Sequence, residues 1–228
     1  MCTESITKII YDRDMLKFVL ALSAQEKRVR EEVDSLFMVA ISYGCLDMAS
    51  MLLERGANPN AQVKILSYGN APVLYAGHAE NRNETLLYLL QNGLDVTLPY
   101  EEGNTSLHHM AMTIPSINLW SLALSNLQDV DLRNKREETP LHVATYMENW
   151  KVVDLLIKSG ANVNAQDDIG DTLLHNYVKD YSSDIPLGGV KKLLKLGADV
   201  KIRNKSGMLA SDIAAVKNAD KILLELLT

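Results

Sequence analysis

Cysteine is nearly missing from this chain: Cys2 and Cys45 are the whole complement in 228 residues. Two thiols cannot build a disulfide framework or a cysteine-rich zinc site, so small secreted scaffolds and zinc ribbons are excluded. Aromatic residues are scarce at 6%, yet 47% of the chain is hydrophobic, enough to fill a core. Glycine and proline, at 12 and 6, are too few for collagen-like or low-complexity sequence. No apolar run approaches the roughly 18 residues of a membrane span. Nor does the start, MCTESITKIIYDRD, show the basic-then-apolar order of a signal peptide. Basic excess is also lacking: 23 Lys and Arg stand against 29 Asp and Glu, a net charge of −6. Nucleic acid and anionic membranes are therefore poor partners. The expectation is a reduced, cytoplasmic protein of one or two domains, with no membrane insertion.

What the chain does have is a repeat. T-S-L-H at 105–108, T-P-L-H at 139–142 and T-L-L-H at 172–175 place histidines at 108, 142 and 175. An apolar run closed by glycine recurs as LLERGANPNAQ from Leu52, LLQNGLDV from Leu89, LLIKSGANVNAQ from Leu155 and LLKLGADVKIRN from Leu193. Its glycines fall at 56, 93, 160 and 197, and Asn126 fills the slot between 93 and 160. Asparagine is the residue best able to replace glycine in a left-handed helix cap. A period of 33–34 residues identifies a solenoid before any local motif is considered.

The physics of one unit fits. Thr139 can cap a helix whose first position is Pro140, where a missing N–H costs nothing. A second helix from Asn149 carries apolar Val152, Val153, Leu155, Leu156 and Ile157, and Gly160 closes it. Such a pair cannot bury its apolar face alone, so stacked neighbours must cover it.

These motifs resemble the ankyrin repeat, whose pattern is roughly G-x-T-P-L-H-x-A followed by L-L-x-x-G-A-D-V-N-A. TPLHVA at 139–144 and VVDLLIKSGANVNAQ at 152–166 carry almost all of it. The resemblance implies an all-α solenoid of helix pairs joined by short hairpin-like fingers. Six units are expected, at 35–70, 71–104, 105–138, 139–171, 172–206 and 207–228, one continuous stack behind a degenerate helical cap at 1–34. In that cap Asp14 begins a helix with Met15, Phe18, Val19 and Leu22 on one face, and QEKRVREE at 25–32 reads as a solvated helical face. Extra residues near QVKILSYGN, ENRNE and YSSDIPLGG map to loops, either as neutral drift or as binding elaborations.

Chemistry is harder to find. Ladder histidines in successive repeats stand about one repeat apart, on the order of 10 Å, whereas ligands of one zinc lie about 2.0–2.1 Å from it. The resemblance gives His108, His142 and His175 a structural role instead, hydrogen bonding to loop backbone of the neighbouring unit. His78 and His109 are surface groups or partner contacts. No G-x-S-x-G, H-E-x-x-H, C-x-x-C or phosphate-binding glycine loop is present, and Gly188-Gly189 is a plain pair in an insertion. The acidic pairs Glu101-Glu102 and Asp167-Asp168 read as soluble finger tips able to steer a basic partner. No metal, cofactor or catalytic residue is expected.

In the ankyrin family the residues before T-P-L-H and those late in the first helix are the usual contacts. Carried over, these are Tyr68, Asn70, Glu101, Glu102, Asn104, Lys135, Arg136, Glu138, Asp168, Ile169 and Asp171 on the fingers. The first helices add His78, Met112, Tyr146, Met147 and Lys179. The expected function is a non-enzymatic, monomeric module that binds a protein partner on the concave face, as an adaptor, inhibitor, scaffold or effector. An effector would act in a host cell. Architectural self-association is the alternative, and an unrecognised enzymatic site a remote one.

Overall fold

The computed structural model describes residues 6–63, 70–113, 116–125, 127–180, 185–217 and 219–228. The chain forms two compact units, residues 1–101 and 102–228, and the described residues are helical throughout save for turns and one isolated bridge, Gln166 with Thr172.

In the first unit, α1 (Ile6–Tyr11) and α2 (Met15–Ala24) precede a 17-residue α3 (Glu26–Ser42), with α4 (Leu46–Leu53), α5 (Pro72–Ala76) and α6 (Arg82–Gln91) following. Asp14 caps α2 as expected, its carboxylate accepting from the Lys17 N–H at 3.0 Å. Phe18, Ala21 and Leu22 turn inward, but Val19 lies on the exposed side beside Leu16 and Leu20. A 100° step per residue explains the difference: Met15, Phe18 and Leu22 follow one stripe and Val19 sits at its edge. Residues 26–34, assigned from sequence to the cap, belong to the same helix as the start of the first repeat. Leu36, Phe37, Met38, Ala40 and Ile41 make α3 the spine of the unit, with α1, α4 and α5 packed against it.

The second unit holds four more pairs: α7 (Ser106–Thr113) and α8 (Ile117–Leu124), α9 (Pro140–Tyr146) and α10 (Trp150–Lys158), α11 (Leu173–Asp180) and α12 (Leu187–Lys195), α13 (Ala210–Val216) and α14 (Lys221–Leu226). The first helices α7, α9, α11 and α13 pack side by side. The second helices form a layer behind them. Trp120, Val153, Leu156, Val190 and Leu193 are buried in it.

The closing glycines do what their spacing implies. Gly56, Gly93, Gly160 and Gly197 have φ between +91° and +98°. The next amide then bonds back to the last turn, as in Ala57 N–H to Leu52 O and Ala161 N–H to Leu156 O, both 3.0 Å. Nothing lies within 4 Å of a Cβ built at Gly56 or Gly160, so backbone conformation, not space, selects glycine there. Asn126 lies outside the described residues, as do the centres of two insertions, 64–69 and 181–184.

Gly189 is more than an insertion residue. It sits in α12, where any side chain would collide with Tyr177. That tyrosine donates to Glu148 at 2.7 Å and packs against the Trp150 ring at 5.9 Å.

Candidate protein-interaction face

The fingers before α9, α11 and α13 are each built by one acidic or amide side chain. Asn134 Oδ1 accepts the N–H groups of Arg136 (2.9 Å) and Glu138 (3.0 Å). Asp167 Oδ1 does the same for Ile169 and Asp171, and Asn204 Oδ1 for Ser206 and Met208. These residues stand five positions before Thr139, Thr172 and Leu209, a periodic signal that reading the fingers as soluble tips passes over. Asp167 is thereby a buried turn-former, not a solvated acid.

Successive fingers are joined by backbone. Lys135 N–H donates to Glu102 O (2.9 Å), Asp168 N–H to Arg136 O (2.9 Å) and Lys205 N–H to Ile169 O (3.0 Å). Close approach accounts for Gly103 and Gly170, where a Cβ would stand 2.9 and 2.7 Å from the next finger's amide nitrogen.

Beneath the fingers runs the histidine ladder. Nδ1 of His108, His142 and His175 accepts from the N–H of Thr105, Thr139 and Thr172 at 3.1–3.3 Å. A backbone N–H can only donate, so in the neutral ring the proton resides on Nε2. His108 and His175 donate through it to the carbonyls of Glu138 and Met208 in the following repeat, both at 3.0 Å. Burial holds the His108 ring below its ordinary pKa and drives His142 down to about 4. This is the structural role the resemblance implies, met in full by two rungs.

The expected contact residues divide between the units. In the first, Tyr68 lies outside the described residues, Asn70 is half-buried, and His78 and Glu101 are exposed. In the second, Glu102, Asn104, Lys135, Arg136, Glu138 and Asp168 come together along the fingers. Lys135 Nζ lies 3.7 Å from Glu102, Arg136 lies 3.4 Å from Glu138, and the Asn134 amide donates to Asn104 at 3.0 Å. Ile169 is exposed at its finger tip. Met112, Tyr146 and Met147, at the ends of adjacent α7 and α9, are 50%, 68% and 39% exposed. Asp171 departs from expectation: it is 1% exposed and accepts from Lys179 Nζ (3.0 Å) and Asn204 Nδ2 (2.6 Å). The bonds from Lys179 and Asn204 hold its carboxylate inward, unlike Asn104 and Glu138 at the same place in their repeats, so it fixes Lys179 in place.

A family model for three copies of the ankyrin repeat matches residues 73–167, and a single-repeat model matches 34–64. Together these cover more than half of the chain. It belongs to the ankyrin-repeat family. An ankyrin-repeat protein of Rickettsia felis is 29% identical over 56% of this chain and 41% of its own length. One from fowlpox virus is 28% identical over 86% of this chain and 48% of its own. The chain thus spans less than half the length of these relatives. The ankyrin repeat domain of Bcl-3 superposes with a TM-score of 0.79 at 22% identity, covering 99% of this chain and 98% of that one, and shares the fold. Ankyrin repeats generally mediate protein–protein interaction.

A second asparagine series, quoted in the sequence only as a repeat marker, also proves functional for the fold. In the ANPNAQ and ANVNAQ tails of these ankyrin repeats, Asn60 and Asn164 donate to Gly93 O (2.8 Å) and Gly197 O (3.2 Å). The same side chains accept from Asp95 and Asp199 N–H. Gln62 and Gln166 repeat the parallel, reaching Pro99 O and Arg203 O.

Proposed function

We propose that this ankyrin-repeat chain is a non-enzymatic binding module. Its partner is a protein engaged by the finger and first-helix face of residues 102–228. The observation that carries the reading is the cluster of exposed Met112, Tyr146 and Met147 on packed neighbouring helices. Large apolar side chains flanked by a charged rim are the composition of interface cores. Lys135, Arg136, Glu138 and Asp168 supply that rim, giving orientation and rate more than affinity. Among the described residues no helix is long and apolar enough to cross a membrane. The low cysteine content fits a reducing, cytoplasmic setting.

The test is affinity capture with the wild-type chain and a Tyr146→Ala, Arg136→Glu double variant, followed by mass spectrometry. A protein held by the wild type and lost from the variant, with unchanged circular dichroism, is the expected result. Equal retention by both, with loss on a Lys158→Glu change in α10, would move the interface to the second-helix layer. Exposed Val216 and Ile222 on the last pair favour a second reading, architectural self-association. Light scattering across concentration separates it from a monomeric binder.

A further inference from the structure

The three ladder histidines are not equivalent. The Glu138 and Met208 carbonyls each accept twice, from the finger amides of Asn134 (3.1 Å) and Asn204 (3.0 Å) and from a histidine Nε2–H (3.0 Å each). The equivalent Asp171 carbonyl accepts from the Asp167 N–H (3.0 Å), but His142 does not reach it in hydrogen-bonding geometry. That carbonyl still lies close enough to the ring to favour its cation slightly, as a bent or stretched contact does, but it leaves Nε2 outside hydrogen-bond geometry. His142 Nδ1 is engaged by Thr139 as in the other rungs, so the proton again sits on Nε2, in a side chain only 6% exposed.

One turn further along α9, the Thr145 hydroxyl also has no hydrogen-bond partner, in a residue 3% exposed. Both residues line one small cavity between α9 and α11, of about 10 Å³, walled also by Tyr146, Leu173, Asn176, Tyr177 and Asp180. Polar groups this deeply buried are rarely left unpaired. A polar cavity takes up water once it offers one water centre roughly 10–15 Å³ and two to four partners, whereas an apolar cavity stays dry.

We propose that this cavity is a binding site for a single water molecule. The water accepts from His142 Nε2–H and bonds Thr145 Oγ1, the two buried polar groups of the cavity wall that lack a partner. The histidine ladder then crosses from α9 to α11 through solvent, where its two counterparts cross directly.

The experiment is water-selective NMR on the full chain, reading the His142 ring N–H, with Thr145→Val and Thr145→Ser as variants. Valine keeps the shape of threonine and removes the hydroxyl, so the fold should survive. The expected result is a cross-peak from the ring N–H to a long-lived water, present in the wild type and in Thr145→Ser and lost in Thr145→Val. Thr145→Val should also melt several degrees lower. The proposal is overturned if the wild type shows no such cross-peak and the ring N–H couples directly to the Asp171 carbonyl. It is equally overturned if Thr145→Val melts at or above the wild-type temperature, because removing a dry hydroxyl stabilises.

Discussion

At Glu137 the backbone adopts φ +54°, in the finger position that Gly103 and Gly170 fill in the neighbouring repeats. A left-handed conformation costs a side-chain-bearing residue about 1–2 kcal/mol, and glycine returns part of that as unfolded-state entropy. Glu137→Gly should therefore stabilise the protein by about 0.5–1 kcal/mol in urea unfolding; destabilisation would mean that its exposed contact with Arg133, at 3.9 Å, matters more than the backbone. His142 makes a second residue-scale prediction. Its pKa is about 4 folded against an ordinary 6.5, because burial disfavours the cation. The unfolded chain thus binds the proton more readily between those values. The stability that neutral His142 contributes is fully present above about pH 6.5 and is lost as pH falls through about 4. At roughly 1.4 kcal/mol per pH unit the loss is on the order of 3 kcal/mol. Unfolding midpoints measured from pH 7 to 4 should fall more steeply in wild type than in His142→Gln; parallel slopes would show that this ring does not carry the dependence.

Among the elements, α10 displays the periodic argument most plainly. Leu156 is fully buried and Leu155 partly exposed, so Leu156→Ala should cost about 2–5 kcal/mol and Leu155→Ala clearly less. Equal effects on the urea midpoint would contradict the facing assigned to this helix. Such facing was readable in the sequence because 3.6-residue periodicity, the Thr-Pro start and the Gly stop all agree over one repeat. The same rules misplaced Val19, which lies on the rim of its stripe, and cut α3 at Ser35, since nothing at residues 26–34 stops a helix. Asp167 and Asp171 were misjudged for another reason. Their carboxylates bond to amides fixed by the turn itself, and a charge count cannot distinguish an acid facing water from one facing backbone. Met112, Tyr146 and Met147 were legible as exposed only through the family resemblance, which puts contacts late in the first helix; no spacing rule applied to the residues alone singled them out.

For the molecule as a whole, the histidines bear on metal binding. In His108 and His175 one ring nitrogen accepts from threonine and the other carries a proton given to a carbonyl, so neither ring has a lone pair to offer. Among the described residues no group of three or more His, Cys, Asp or Glu is placed to hold a metal ion. Chelator should leave the melting curve unchanged. A drop of several degrees in EDTA, reversed by zinc, would refute this account of the ladder. The ties between repeats also have a mechanical meaning. The tail after α10 is tied to the tail after α12 by Asn164 bonding Gly197 and Asp199, and α11 is tied to the finger before α13 by His175 bonding Met208. Tension on the chain ends must shear the bonds at an interface nearly together, so repeats should yield one by one instead of fraying. Each event would release about 33 residues, the spacing of the His175 tie. Stretched to 3.3–3.6 Å per residue, that is roughly 110–120 Å of new length. An optical trap should record a sawtooth of that step across residues 102–228, making the repeat period visible as a ruler of extension.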